Sequence, residues 1–490
     1  MTSAAAASVV SDATPEAWAL RDVAARLGDP DTGGRYLRWV ERARGCSHPV
    51  RLRGASRDAD VVTGEVVSEF TSDTEPDGVI LKPCGNRRAN VCPACSEVYQ
   101  GDAWQLVATG LRGGKGVPET VVEHPLVFAT FTAPSFGPVH TSREVAGRSV
   151  PCRPRSRGET CPHGRSLACN KRHADDDPCL GEAICSDCFD YQRAALWNHN
   201  AGRLFKRTRT YVERELARAA GLTQKAARKL VRVSYVKVAE FQRRGVVHFH
   251  SVWRLDGVNP DSELVPPPVE FDAQLLADAI TAALGKASVP AERPDAPPYA
   301  WGAQHETRAL DLVHQAEEAG RIAAYIAKYA TKASEQAGGV SHKIEHEDEL
   351  AGLRCRDHAK RLITGAWRAG ADELVDGTRI RRWAHQLGYG GHCFTKSRRY
   401  SNTFKALRAA RVDHAAHQAD SAAEAAAKSD HNLVRISAWT YAGREYPRTG
   451  DELLAISTHA RKREHRRVAR EELQVTGQTR KEMERWTRVD

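Results

Sequence analysis

A chain of 490 residues with 41% hydrophobic and 27% charged residues has the composition of a folded globular protein, which excludes a disordered one. This length predicts roughly two to four domains, and the lack of any apolar run of about 18 residues excludes a membrane-spanning helix. The net charge of +10 favours a nucleic-acid partner, because lysine and arginine neutralise phosphates, although a biased coding composition would also produce it.

The N-terminal segment, residues 1–45, is predicted to contain one amphipathic helix from about Glu16 to Leu27, followed by a polar stretch. Met1–Thr14 is rich in alanine and serine and lacks the basic start and long apolar run of a secretory signal. We therefore expect a cytoplasmic protein without a membrane partner.

Twelve cysteines in a cytoplasmic chain predict metal sites rather than disulfides. Residues 46–120 have the pattern of a zinc-binding module. Cys84 precedes a knuckle formed by Cys92 and Cys95, and Cys46 or the neighbouring His48 would complete a tetrahedral zinc site.

Region 121–335 begins with an apolar run, Pro125–Pro134, whose β-branched and aromatic residues predict a strand. A Cys/His-rich insertion, residues 150–190, follows this strand. It contains a second knuckle, Cys185 and Cys188, whose partners would be Cys161 with His163, Cys169 or His173. One structural zinc ion is expected in each cysteine cluster, unless some of these residues are free thiols.

A long basic helix is predicted from roughly Asp190 to Leu230, immediately after the insertion. Its basic side chains would face either DNA or solvent, and they are Lys206, Arg207, Arg209, Arg214 and Arg218.

A β-hairpin is predicted next, with one strand at 236–240, a turn at 241–245 and a return strand that contains His248-Phe249-His250. The two histidines share one face, because side chains two residues apart in a strand point the same way. They would either bind one divalent cation over a phosphodiester or lie half-buried as hydrogen-bonded core residues.

Glu240 lies near the turn of this hairpin. Depending on the register, it would face His248 as a third metal ligand or pair at the surface with Arg243 or Arg244. A carboxylate and two imidazoles with open positions suit Mg²⁺ or Mn²⁺ better than a structural zinc ion.

The alanine-rich segment 321–332 contains no helix breaker and is predicted to be a helix. Tyr325 and Tyr329 share one face, and Lys328 and Lys332 repeat the same step on an adjoining face. Phenols flanked by ammonium groups suit nucleophilic attack on a phosphate with formation of a covalent bond, since a metal ion and a lysine would help to form the phenolate. The alternative is a pair of core tyrosines whose hydroxyls reach water.

The C-terminal region, residues 336–490, is predicted to be basic and mostly helical. A glycine-rich block at 388–400 would contact phosphate through Lys396, Arg398 and Arg399. The tail, Asp451–Asp490, is a highly charged predicted helix that would bind DNA or be solvated.

Taken together, three of these segments resemble the motif set of the HUH endonucleases, the rolling-circle replication initiators. The strand motif F-x-T-x-T is matched by Phe128, Thr130 and Thr132, the His–hydrophobic–His motif by residues 248–250, and the tyrosine helix by residues 325–332. The plasmid-encoded initiators of actinomycetes look similar along most of the chain, including the lead at 240–245 and the block at 391–400.

The resemblance implies an α+β fold with an antiparallel-sheet nuclease core in region 121–335. It also implies metal-dependent, site-specific nicking and joining of single-stranded or extruded plasmid origin DNA, through a 5′-phosphotyrosine that leaves a 3′-hydroxyl primer. Single-tyrosine relatives resemble the segment around Tyr329 and have a glutamate in place of Tyr325, so Tyr329 would attack first and Tyr325 would end the round. Lys328 or Lys332 would orient the phosphate, and Glu240 matches a glutamate of related viral initiators.

Two other function classes fit parts of the sequence. A non-catalytic, zinc-dependent DNA-binding regulator would explain the charge and the cysteines but not the tyrosine pair. A relaxase or transposase would use the same chemistry in another pathway. The glycine run at 110–116 lacks the spacing of a phosphate-binding loop, so a host helicase and a DNA polymerase are the expected partners.

Overall fold

The structure is a computed structural model that describes residues 14–154, 160–261, 263–332, 334–376, 379–419, 433–465 and 467. Residues 1–13, and with them most of the Met1–Thr14 segment, lie outside this range, as do Arg466 and the charged tail beyond Arg467. The chain forms two compact units, one comprising Met1–Tyr99 with Ala409–Asp490 and the other Gln100–Arg408. This division differs from the four consecutive segments expected from the sequence, because the two ends of the chain share one unit.

The helices are α1 (Pro15–Gly28), α2 (Gly33–Arg42), α3 (Pro93–Arg112), α4 (Tyr191–Ala219), α5 (Gln224–Leu230), α6 (Ala273–Lys286), α7 (Ala316–Ala330), α8 (Glu349–Gly352), α9 (Asp357–Ala369), α10 (Glu373–Asp376), α11 (Phe404–Ala419) and α12 (449–465). The strands are β1 (Val50–Asp60), β2 (Val66–Thr71), β3 (Ile80–Lys82), β4 (Leu126–Phe131), β5 (Glu144–Val145), β6 (Arg148–Ser149), β7 (Val231–Phe241), β8 (Val247–Gly257), β9 (Ser288–Val289), β10 (Tyr299–Ala300), β11 (His305–Leu310), β12 (Phe394–Lys396) and β13 (Leu433–Arg444). Short 3-10 helices span Ser72–Thr74, Pro76–Gly78, Glu119–Glu123, Ser334–Ala337 and Ile380–Gln386.

The unit formed by the chain ends is an antiparallel sheet in which β1 pairs with β2, β3 and β13. The predicted first helix is confirmed as α1, but the expected polar stretch after it is wrong. Residues 33–42 form α2, because Tyr36, Trp39 and Val40 recur at helical spacing and are buried. They pack with Val79, Leu81 and Leu454 in a core of their own.

The second unit contains a five-stranded antiparallel sheet in the order β11-β4-β8-β7-β12. The predicted α+β class is therefore confirmed. One face of this sheet, including Phe131, Phe249 and Trp253, packs with side chains of α4, α6 and α9 in the main core. Helices lie on both sides of this sheet, since α7 contacts β7 and reaches the opposite face through its tyrosines.

The C-terminal region is less helical than expected. The glycine-rich block supplies β12, which pairs with β7 through Phe394↔Val238 and Lys396↔Val236. The five-stranded sheet therefore extends beyond residue 335, and β13 is a second strand of the C-terminal region, which pairs with β1 in the other unit. β12 has only three residues and depends on pairing with a distant partner, whereas β13 contains β-branched and aromatic residues that are themselves typical of a strand.

The long basic helix is also interrupted. α4 ends at Ala219, and α5 starts at Gln224 after Gly221, whose φ is +65°, and Thr223, whose side chain caps the new helix by accepting from the Ala226 amide. Across the described ranges, no helix is both long enough and apolar enough to cross a membrane.

Candidate functional site

The site forms on the face of the five-stranded sheet opposite the main core. In the antiparallel register, Glu240 on β7 stands opposite His248 on β8, and Thr130 on β4 stands opposite His250. Opposed residues in an antiparallel pair point to the same face, so these side chains converge. The predicted hairpin is present, and its register, which the sequence left open, brings the Glu240 carboxylate beside the two histidines.

The carboxylate and the imidazoles are in direct contact. Glu240 Oε2 lies 2.9 Å from His250 Nε2, and the two histidine rings are 4.5 Å apart between centroids. Glu240 forms no surface pair with the turn arginines in the described part of the chain. Its other oxygen accepts from Lys332 Nζ at 3.4 Å.

Two threonine hydroxyls orient the histidines, one from Thr130 on β4 and one from Thr132 immediately after this strand. Thr132 Oγ1 lies 3.0 Å from His248 Nδ1, and Thr130 Oγ1 lies 3.3 Å from His250 Nδ1. When Nδ1–H of His248 donates to the Thr132 hydroxyl, Nε2 of that ring keeps its lone pair, which is how histidine ligands are commonly oriented. The sequence identified these threonines only as motif positions. Their role follows from the alternation of side chains along β4 once its pairing with β8 is known.

The surroundings lower the pKa values of two groups in this cluster, His248 and Glu240. Burial and the neighbouring His250 lower the pKa of His248 to about 4, so its imidazole is neutral at physiological pH. Burial disfavours the charge on Glu240, but the hydrogen bond from His250 and the charges of His250 and Lys332 outweigh it and lower its pKa. A neutral imidazole beside an ionised carboxylate is a donor set for a divalent metal ion.

Helix α7 places both tyrosines on this cluster. Tyr325 Oη lies 3.3 Å from His250 Nε2, and the Tyr329 ring stacks on His250 with 5.0 Å between centroids. The two phenol rings are 4.8 Å apart. Burial, followed by the influence of Tyr329, raises the pKa of Tyr325.

The two predicted lysines occupy different positions. Lys332, just after α7, lies over the Tyr329 ring with its ammonium 4.4 Å from the centroid and also contacts Glu240. Lys328 is exposed on α7. The geometry therefore brings Lys332, rather than Lys328, to the cluster.

A cavity of about 630 Å³ opens beside His248 and Glu240. Its lining includes Arg243, which the sequence suggested only as a partner of Glu240, and three side chains that the sequence did not single out, namely Gln242, Gln336 and Arg356. Such groups can hydrogen-bond a phosphodiester backbone. The polar run at 242–244 in the predicted turn was a local signal for Gln242 and Arg243, whereas Gln336 and Arg356 had none.

The basic block at 388–400 is placed differently from the expectation. Lys396 Nζ is half-buried and donates to the Ser401 and Ser397 carbonyls at 2.6 and 3.4 Å, and burial lowers its pKa to about 8. Arg398 is exposed, and the Arg399 carbonyl accepts from Arg254. Lys396 is therefore hydrogen-bonded to backbone oxygens, and the three phosphate contacts stay a prediction.

The first cysteine set is brought together as predicted. The sulfurs of Cys46, Cys84, Cys92 and Cys95 all lie within 4.8 Å of one another, with 3.7 Å between Cys84 and Cys95 and 3.8 Å between Cys46 and Cys92. Zinc–sulfur bonds of about 2.3 Å in a tetrahedron place sulfurs about 3.8 Å apart, so the set fits a metal ion. His48, the alternative to Cys46, instead contacts Glu445 at 3.1 Å.

The second set gathers Cys161, His163, Cys185 and Cys188. His163 Nδ1 lies 3.2 Å from Cys188 Sγ and 3.9 Å from Cys185 Sγ. The sequence left the partner of the knuckle open, and His163 occupies that place. Cys169, another of the residues suggested for that place, lies elsewhere in the insertion beside His173.

The chain matches the family model described as "RepSA: Replication initiator protein, pSAM2" over residues 33–460. It is also 39% identical over 453 residues to a replication initiator protein of Streptomyces ambofaciens, an alignment that covers 89% of this chain and 92% of the relative. No solved structure matches the chain significantly. The protein therefore belongs to the RepSA family of replication initiator proteins.

Proposed function

We propose that this initiator nicks and rejoins the origin DNA of its plasmid through a 5′-phosphotyrosine intermediate. The observation that carries the proposal is the meeting of two imidazoles, a carboxylate, two phenols and an ammonium group on one face of the sheet. DNA binding without catalysis does not require the Tyr325 phenol to lie 3.3 Å from His250, a histidine that also contacts Glu240.

His248, His250 and Glu240 are the residues that would hold a divalent cation. Ligands at about 2.1 Å from one ion and at right angles are about 3 Å apart, which agrees with the 2.9 Å between His250 Nε2 and Glu240 Oε2. The bound ion would supply polarisation of the scissile phosphate. Two imidazoles and one carboxylate favour Mg²⁺ or Mn²⁺, whereas the cysteine sets favour zinc.

Tyr329 is the proposed first nucleophile. The Lys332 ammonium lies 4.4 Å from the centre of its ring, where it would offset the charge that develops on the phosphate. Burial, followed by the influence of Tyr329, raises the pKa of Tyr325, which disfavours the Tyr325 phenolate. In the step, the Tyr329 oxygen bonds to phosphorus and the bond to the 3′ oxygen breaks. The phenol proton is released and the leaving 3′ oxygen takes up a proton, which yields the primer.

Tyr325 would then act as the second nucleophile, at the end of a replication round. It lies against His250 and is 39% exposed, so it can reach a second strand while Tyr329 is occupied. The free 3′-hydroxyl would be extended by a DNA polymerase of the host, and a host helicase would unwind the duplex.

The proposal is tested with a single-stranded oligonucleotide that carries the origin. Tyr329→Phe should abolish the covalent DNA adduct seen on denaturing gels, whereas Tyr325→Phe should retain first-round cleavage. The pair is matched, because each variant loses only one hydroxyl. An adduct that persists in Tyr329→Phe but vanishes in Tyr325→Phe would exchange the two roles, and persistence in the double variant would refute the mechanism.

The metal ligands form a second arm of this test. Replacement of both His248 and His250 by alanine should abolish Mn²⁺-dependent cleavage while leaving duplex origin binding within a few-fold of wild type. Cleavage that continues in this variant would show that the histidines do not hold the catalytic metal.

A further inference from the structure

The Cys/His-rich insertion and the segment just before it contain another set of metal-ligating side chains, separate from the set at Cys161. One donor atom from each of His140, Cys152, Cys169 and His173 lies within 4.8 Å of all the others. We propose that these four residues bind a zinc ion of their own, in a Cys₂His₂ site. The insertion would then hold two zinc ions where the sequence suggested one.

The backbone holds the two cysteines side by side. The Cys152 amide donates to the Lys171 carbonyl at 2.9 Å, and Arg153 and Cys169 exchange two backbone hydrogen bonds as an antiparallel bridge. Because the chain on both sides is paired, the two sulfurs are held together without help from the ion. This preorganisation reduces the entropy lost on metal binding.

The histidines are fixed in a similar way. His140 exchanges backbone hydrogen bonds with Gly181 and Glu182, each 2.9 Å long, so it is tied to the segment that follows His173. The two imidazole rings stand 5.1 Å apart in a perpendicular arrangement. The four ligands thus come from three chain segments that are already joined by hydrogen bonds.

The donor geometry fits zinc. His173 Nε2 lies 3.4 Å from Cys169 Sγ. A tetrahedral zinc ion with its usual bond lengths would place a nitrogen and a sulfur ligand about 3.6 Å apart. Cys152 and His173 are each only 2% exposed, and the Cys152 sulfur accepts a hydrogen bond from the Thr141 amide at 3.3 Å.

Two neighbouring groups also support a zinc ion at this site. Asp177 Oδ2 lies 2.8 Å from His173 Nδ1, which leaves Nε2 of His173 for the ion in a carboxylate–histidine–zinc arrangement. His140 Nδ1 is buried and has no hydrogen-bond partner among the described residues. A buried ring nitrogen without a partner is costly, and coordination of this imidazole would remove that cost.

A rival set shares one residue with this one. His173, Asp177 and Cys179 also lie close together, with Cys179 Sγ 3.3 Å from His173 Nδ1. This set offers three donors, whereas structural zinc takes four nitrogen or sulfur ligands. Asp177 also accepts the Cys179 amide at 3.0 Å, which suits a supporting carboxylate.

The site lies against the hairpin that carries Glu240 and His248. The guanidinium of Arg243, in the turn between them, donates to the carbonyls of Asp175 and Asp177 just after His173. Gly181 approaches so closely that a Cβ there would overlap the Arg243 backbone. Zinc at this set would therefore fix the segment on which the turn of the hairpin rests.

The test counts zinc per chain by inductively coupled plasma mass spectrometry on the purified full-length protein after dialysis. Cys169→Ser should contain one zinc ion fewer than wild type, and Cys179→Ser should contain the same number. An unchanged count in Cys169→Ser would overturn the proposal, as would a loss confined to Cys179→Ser.

Since Cys169→Ser could unfold the insertion, Cys169→His serves as a second variant that keeps four ligands. With Co²⁺ in place of zinc, this variant should bind as many ions as wild type but lose the charge-transfer absorption of one thiolate. Absorption identical to wild type would show that Cys169 is not a ligand. None of these readouts depends on DNA cleavage, so the zinc site can be refuted or supported independently of the nicking mechanism.

Discussion

At the scale of single residues, the candidate site depends on side chains that hold the histidines as well as on the histidines themselves. The Thr132 hydroxyl contacts His248 Nδ1, and the Thr130 hydroxyl contacts His250 Nδ1. These contacts select which ring nitrogen is available, a choice that the sequence of the histidine motif cannot specify.

Thr132→Val tests this role. The substitution keeps the β-branched shape but removes the hydroxyl that lies 3.0 Å from His248 Nδ1, so the Mn²⁺ concentration that gives half-maximal cleavage should rise by about 10- to 100-fold. The maximal rate at saturating Mn²⁺ should change much less. Cleavage measured over a Mn²⁺ titration checks the expectation, and an unchanged requirement would contradict it.

At the scale of elements, the β7–β8 hairpin is the part that turns a sequence motif into a site. Its tight turn returns β8 in the register that sets Glu240 opposite His248. Gly245 makes the turn feasible, with a φ of +74° and an amide that donates to the Gln242 carbonyl at 2.8 Å. A side chain at Gly245 would also overlap Leu362 in the main core.

Gly245→Ala should therefore destabilise the second unit by about 2–5 kcal/mol, since backbone strain and overpacking add together. Gly221→Ala is the matched control. Its φ of +65° is similar, but a Cβ there meets nothing within 4 Å, so a loss of only about 1 kcal/mol is expected. Urea unfolding measures both, and equal losses would mean that contact with Leu362 has no effect.

At the scale of the whole molecule, the first and last parts of the chain form one unit. β13 pairs with β1 along its length, from Val50↔Arg444 to Asp60↔Leu433, and Leu454 of α12 joins the core of α2. Sequence separation hid this pairing, because long-range strand partners leave no local pattern.

Truncation after Ala419 tests this organisation. It removes β13 and α12, so the unit that contains β1 should lose its cooperative unfolding transition, while residues 100–408 keep theirs. Limited proteolysis followed by mass spectrometry should then show digestion of residues 14–99 and survival of the sheet that carries the histidines. Equal protection of both units would contradict the shared fold.

The sequence by itself determined the family resemblance, the α+β class, the histidine strand, the tyrosine helix and the first cysteine set, because each depends on residue type at short spacing. Only the tertiary structure decided that Lys332 rather than Lys328 lies over a tyrosine ring and that Lys396 is hydrogen-bonded to backbone oxygens. It also decided that Cys169 lies beside His173 and is not part of the set that contains Cys161. Strand register, helix docking and loop pairing place these groups, and they depend on contacts between residues far apart in the chain.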